Sequence, residues 1–222
     1  MDDDINDILA EFDKRSVPSS TQDLNDLTKQ WIAERGAPEV LPYQGPLLER
    51  IMERIREQIE IVERETGDLE PNANFRLILI QTELERVKFL VRAYLRARMA
   101  KIDKHPLYLI NNPSALSHLS DPEKAYLRSH LALLNNHYLS SFLRNFPAQL
   151  RRLDDAAGGV SMVEEPDLDS AVFCRVVRVL EEGEELVVKG TDARVELMKG
   201  DVVVVRYRAV RKWVLGGEVE LI

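Results

Sequence analysis

Glu165-Pro-Asp-Leu-Asp-Ser170 is the stretch on which the fold turns. Up to Arg152 apolar residues recur at helical spacing almost without a break. After Ser170 they become short β-branched runs separated by glycines. This predicts an α+β chain: a mainly α-helical N-terminal bundle over 21–152, a linker over 153–165, and a small β-rich C-terminal domain over 166–222. Asp154-Asp-Ala-Ala-Gly-Gly-Val-Ser161 supplies the small, polar composition of such a linker.

Downstream of the junction, strands are expected over 171–180, 185–188, 194–197, 202–207 and 218–222. Turns are expected at Glu182-Gly183, Lys189-Gly190, Lys199-Gly-Asp201 and Gly216-Gly217. A module this small has a thin core and is expected to lean on another surface, with Trp213, Leu221 and Ile222 as contact points. Upstream, a helix is expected from Leu24 to Arg35, closed by Gly36-Ala-Pro38. A second opens at Pro46 and runs to about Thr66, with Leu48, Ile51, Met52, Ile55, Ile59 and Val62 in one stripe. Its other face alternates Glu53, Arg54, Arg56, Glu57, Glu60 and Arg64, the pattern of a solvated surface.

A third helix, 72–104, is apolar on more than one side, so burial by a neighbouring helix and by another subunit is expected, with Val87, Val91 and Leu95 as interface candidates. It also holds eight Lys or Arg against three Asp or Glu, with Lys88, Arg92 and Arg96 at successive turns. A direct DNA-binding module using Arg92, Arg96 and Arg98 is therefore the rival reading. The net charge of −8 over 222 residues argues against it. The fourth helix begins with the capping box Ser120-Asp-Pro-Glu123 and is expected to reach Phe146, before Pro147. Its inward stripe is Leu127, Leu131, Leu134, Tyr138 and Phe142.

At the N-terminus, residues 1–20 read as a short amphipathic segment followed by a polar linker. Ile5, Ile8, Leu9 and Phe12 recur on one side; Asp7, Glu11 and Asp13 face the other way. The segment is either a tethered docking peptide or a helix packed on its own domain. Neither a membrane span nor a basic leader is expected, and the single cysteine, Cys174, sits among Val172, Phe173, Val176 and Val177 as an expected small buried hydrophobe.

The motifs of catalysis are missing: no phosphate-binding loop, nucleophile elbow or dinucleotide fingerprint occurs, and His105, His118, His130 and His137 have no metal-ligand spacing. Asp167 and Asp169 are paired carboxylates, but at a junction they are expected to turn the chain or pair with arginines. No enzyme, cofactor or metal is expected. The remaining class is a protein that binds other proteins.

Four stretches carry a specific resemblance. They are the arginine-rich run from Glu85 to Ile102, Leu119-Ser-Asp-Pro-Glu123, Pro166-Asp-Leu-Asp-Ser-Ala-Val-Phe173, and Gly217-Glu-Val-Glu-Leu-Ile222. Together, and in this order, they resemble the SLD-five subunit of the eukaryotic GINS complex. The resemblance implies a helical A-domain and a β-rich B-domain within a nuclear heterotetramer containing three sister Psf subunits. It further implies a non-catalytic role joining the minichromosome maintenance hexamer and its RecJ-like cofactor into the replicative helicase, with DNA contact indirect or weak. Asn6-Asp7-Ile8-Leu9-Ala10-Glu11-Phe12-Asp13 resembles the fungal motif that docks on a trimeric replisome adaptor hub. Ile8, Leu9 and Phe12 are the implied anchors and Asp7 the acidic contact, with Asn6 and Phe12 departing from the fungal pattern.

Overall fold

The computed structural model describes residues 20–65, 71–154, 161–178, 186–187, 194–195 and 198–222. Expectations for the N-terminal segment, including Asp7, Ile8, Leu9 and Phe12, lie outside the described residues, as does half of each of the two central strand expectations, 185–188 and 194–197. The helices are α1 (Ser20–Gly36), α2 (Gly45–Glu65), α3 (Pro71–Lys104), α4 (Pro106–Asn111), α5 (Pro113–Ser117) and α6 (Asp121–Ser141). Two 3-10 turns follow, Leu143–Asn145 and Ala148–Leu150. The C-terminal part contains β1 (Ala171–Val176), β2 (Leu186–Val187), β3 (Arg194–Val195), β4 (Val202–Arg206), α7 (Tyr207–Gly216) and β5 (Val219–Leu221).

The chain forms two compact units: residues 20–28 and 46–91 belong to one, and 29–45 and 92–222 to the other. In the first unit, Leu27, Leu47, Leu48, Ile51, Ile55, Leu77, Leu84 and Val91 are buried. Met52, expected in the α2 stripe, is instead 39% exposed. Arg54 is not part of a freely solvated charge pattern, because Asp23 of α1 is fully buried and held by Arg50 at 2.9 Å and Arg54 at 2.5 Å. Two cations on one buried carboxylate offset its desolvation.

In the second unit a three-stranded antiparallel sheet of order β4-β1-β5 pairs Phe173 with Val204 and Arg175 with both Val202 and Glu220. Period-2 alternation buries Val172, Cys174 and Val176 and turns Phe173 and Arg175 outward. Helix α7 covers the inner face through Tyr207, Val210 and Trp213. The same core takes in Ala37 and Leu41 from the segment after α1, with Ala33 packed against it. A Cβ placed on Gly36 would sit 3.5 Å from Leu221 Cβ, an ordinary van der Waals contact, so β5 packs beside the end of α1 without requiring a glycine there. A second core joins Val40 to Ile102, Leu109, Leu119 and Leu127.

Helix α7 corrects the sequence reading of the C-terminal part as strands and turns. Its buried residues recur as Tyr207, Val210 and Trp213, a helical spacing that follows directly on a β run with no intervening breaker. The Gly216-Gly217 turn is its C-terminal cap. Gly217 has φ +78°, and the amides of Gly217 and Glu218 donate to the Val214 and Trp213 carbonyls at 3.3 and 3.0 Å. Helix α6 ends at Ser141 rather than Phe146. Phe142 has left the helical region, and Phe146, which precedes a proline, is extended at φ −90°, ψ 155°. The short helices α4 and α5 were not anticipated; each begins with a proline, and α5 is capped by Asn112.

Candidate functional site

The most concentrated polar chemistry lies in the second unit, around a fully buried Arg98 on α3. Its five N–H donors are all used. Nε and Nη2 grip Glu123 at 2.7 and 3.0 Å, Nη1 donates to Glu34 at 3.1 Å and to the Leu41 carbonyl at 2.7 Å, and Nη2 also reaches the His118 carbonyl at 2.9 Å. The Tyr43 and Tyr94 rings lie 5.3 and 5.7 Å from the guanidinium carbon. Glu123 also completes the α6 capping box, accepting from the Ser120 amide at 2.8 Å. Lys101 extends the network to Glu34 and to the Glu39 carbonyl, both at 2.7 Å.

Each charge here faces an opposite charge or a carbonyl. Burial disfavours the Arg98 cation, but Glu123 and Glu34 outweigh it and push its pKa up. Burial alone would raise the Glu123 carboxyl; Arg98 and Ser120 hold it below its ordinary 4.5. Desolvation lifts the Tyr94 hydroxyl to about 12, and it pulls Lys101 down against the attraction of Glu34. This constellation fixes a structure; none of it is open to a substrate.

A pH dependence follows. Asp23 is held below its ordinary 3.8, because Arg50 and Arg54 outweigh the effect of burial, and Glu123 is held below 4.5. The folded state therefore binds fewer protons than the unfolded chain at acid pH. The stability from these groups is fully present above the unfolded values and is lost as pH falls through the folded ones. Thermal melts should be flat from about pH 7 to about pH 5.5 and fall steeply below about pH 4.5. A melting temperature that rises on acidification would contradict the assignment.

The residues considered for DNA and for catalysis are placed as follows. Arg98 cannot contact phosphate, being wholly enclosed, and this removes it from the DNA reading. Lys88 pairs with Glu85 at 3.2 Å. Asp167 turns the chain by accepting the Asp169 amide at 3.0 Å, and Asp169 pairs with Arg208 at 3.2 Å, so neither forms an acid/base dyad. Burial pushes the Cys174 thiol pKa up, and the group lies against the Val203 carbonyl at 3.6 Å. His105 and His118 contact the carbonyls of Glu164 and Val40 at 3.1 and 3.0 Å. Among the described residues no cluster of His, Cys, Asp or Glu could hold a metal, and no helix is long and apolar enough to cross a membrane.

Among the described residues, several large apolar side chains face outward. On α3 in the first unit, Phe75, Ile78, Leu79 and Phe89 are each more than half exposed. Beside them runs a groove shared with α1, lined by Leu24, Thr28, Ile78, Thr82 and Phe89. In the second unit α6 and its continuation expose Leu133, Leu139, Phe142, Phe146 and Leu150, with Tyr138, Phe142 and Phe146 forming a ladder of rings 5.9 and 6.3 Å apart. The outer sheet face adds Phe173, Val202 and Val204. Exposed apolar faces of this kind mark contact with other proteins.

The interface candidates fall on both sides of this surface. Val91, Trp213 and Leu221 lie in the chain's own cores, Val87 and Leu95 are half-buried, and Ile222 is 47% exposed. Sequence reasoning did not single out Arg98 as a buried hub, because eight cations on one helix give no sign of which is enclosed. The capping box places Glu123 at the start of α6, but nothing in the box itself shows that its carboxylate meets a buried arginine.

Comparison with known proteins agrees with this picture. Residues 51–142 match the family model for the GINS complex protein helical bundle domain, and 166–222 match that for the DNA replication complex GINS protein SLD5 C-terminus. The chain is 50% identical to DNA replication complex GINS protein SLD5 of Chaetomium globosum, covering 99% of this chain and all of the relative. It is 39% identical to the Schizosaccharomyces pombe protein of that name across both full lengths. To that of Saccharomyces cerevisiae it is 33% identical, over 92% of this chain and 82% of the relative. A helical bundle, a small antiparallel sheet, an enclosed charge network and exposed apolar faces thus occur in a sequence matched end to end, and the chain belongs to the SLD5 family of non-catalytic GINS subunits of DNA replication.

Proposed function

We propose that the chain is the architectural member of a heterotetramer with three sister Psf subunits, and that its exposed apolar faces are the contact surfaces. The assembly joins the minichromosome maintenance hexamer and its RecJ-like cofactor as the replicative helicase, in the nucleus. Residues 21–152 act as the A-domain and 166–222 as the B-domain. The observation that carries this reading is the run of exposed Phe75, Ile78 and Leu79 on α3 with Phe142 and Phe146 beyond α6. A lone chain would leave the exposed halves of these aromatic and branched side chains in water; a partner's apolar surface recovers on the order of 1 kcal/mol for each one it covers.

The N-terminal segment is assigned a separate task. Ile8, Leu9 and Phe12 anchor it in a groove of the trimeric adaptor hub, and Asp7 supplies the acidic contact, as in helix-in-groove recognition. One pulldown tests both parts. Wild-type chain co-expressed with the three sisters should retain both sisters and hub. Leu9→Asp should retain the sisters and lose the hub. Hub binding unchanged by Leu9→Asp would remove the docking assignment, and sisters absent from both samples would remove the architectural one.

A further inference from the structure

Glu39, in the segment between α1 and α2, faces two parts of the second unit at once. Its carbonyl accepts Lys101 Nζ of α3 at 2.7 Å. Its carboxylate, on a residue only 5% exposed, takes every one of its recorded bonds from α7: Tyr207 Oη at 2.8 Å, Arg211 Nε at 2.6 Å and Arg211 Nη2 at 2.7 Å. The fork of Arg211 on this carboxylate is the bidentate geometry that adds direction to attraction. The Arg211 pKa is pushed up, first by that contact.

We propose that Glu39 is a clasp setting the orientation of the C-terminal module on α3, and that breaking it releases the module as a folded piece instead of melting it. Three observations carry this. The module has its own ladder, β1 with β4 and β5, and its buried Val172, Cys174, Val176, Val210 and Val219 make no bond to Glu39, while Ala37 and Leu41 complete the same core from the other side. The helical side is locked separately by Arg98, Glu34 and Glu123, whose side-chain contacts do not use the Glu39 carboxylate. The seam itself holds small apolar contributions from Ala33, Ala37 and Leu41, a His105 contact to the Glu164 carbonyl, and an exposed Lys29–Glu220 pair. Without Glu39 the buried Tyr207 hydroxyl and the Arg211 fork lose their acceptor. Opening the seam to water satisfies both and uncovers only the Ala37 and Leu41 edge of the shared core, while the β1, β4 and β5 ladder stays paired.

Hydrogen exchange and limited trypsin cleavage of the full chain test the clasp with Glu39→Ala. Amides of residues 37 and 39–41 should exchange about tenfold faster or more, and cleavage after Arg151 and Arg152 should speed up alike. The β1 amides from Val172 to Val176 and those of α6 should stay within about twofold of wild type. Equal acceleration at the seam and in β1 would mean that the module melts, and no acceleration at the seam would mean that its apolar contacts suffice; either overturns the proposal. If Glu39→Ala does not yield folded protein, Glu39→Gln, which keeps the shape and loses the ion pair, is judged by the same comparison.

Discussion

Replacing Arg98 with leucine should lower the melting temperature on the order of 10 °C, corresponding to a loss of about 3–5 kcal/mol. The magnitude comes from what remains behind. Glu123, Glu34 and the Leu41 and His118 carbonyls all lose a donor at once, in a site closed to solvent. Glu34 keeps Lys101 at 2.7 Å, so the deficit is greatest at Glu123, where both the ion pair and the start of α6 are involved. Adding Glu123→Gln to Arg98→Leu should therefore recover part of the loss, since it removes the stranded charge while leaving an acceptor for the Ser120 amide. Circular dichroism melts of the three proteins decide the matter. A shift of only a degree or two for Arg98→Leu would show that water or another cation replaces it.

The second large effect is expected at the surface. Ile78→Asp on α3 and Phe142→Asp beyond α6 should each weaken co-assembly with the sister subunits by about 100-fold or more, the loss associated with an apolar anchor at an interface centre. Neither should unfold the chain. Ile78 is 59% exposed and Phe142 46% exposed, so each aspartate remains hydrated in the free subunit and meets an apolar partner only on assembly. The contrast separates assembly from stability: melting temperatures near wild type with lost co-purification support the interface assignment. Wild-type recovery of the complex from both variants would place the interfaces elsewhere.

These two predictions draw on different depths of sequence information. Helices α2, α3 and the start of α6 were legible because period-3.6 stripes, Pro46 and the Ser120–Glu123 box are local signals. The strands β1 and β4 were legible through β-branched runs. Helix α7 was not, since Tyr207 to Leu215 follows β4 without a glycine or proline, and its helical spacing emerges only once the inner sheet face needs a cover. Tertiary selection among like residues was also hidden. Arg92, Arg96 and Arg98 look alike in sequence, yet only Arg98 meets Glu34, Glu123 and two carbonyls together. Trp213 and Leu221 read as outward contacts because the module is small, but the surface it leans on is Ala37 and Leu41 of its own chain.

Asp167 shows the opposite case. The turn at Asp167 follows from short-range chemistry and needed no knowledge of distant residues, whereas the arginine that pairs with Asp169 is Arg208, 39 residues further on. The junction they occupy is firmly bonded: the amides of Tyr207 and Arg208 donate to the Ser170 and Leu168 carbonyls at 2.9 and 2.8 Å, tying it to the first turn of α7.

The most direct test of the architectural role is the native mass of the full chain co-expressed with its three sister subunits. The account predicts one dominant species containing one copy of each chain, which Ile78→Asp and Phe142→Asp deplete while the free subunits stay folded. A chain that remains a free, well-folded monomer in the presence of all three sisters would contradict it.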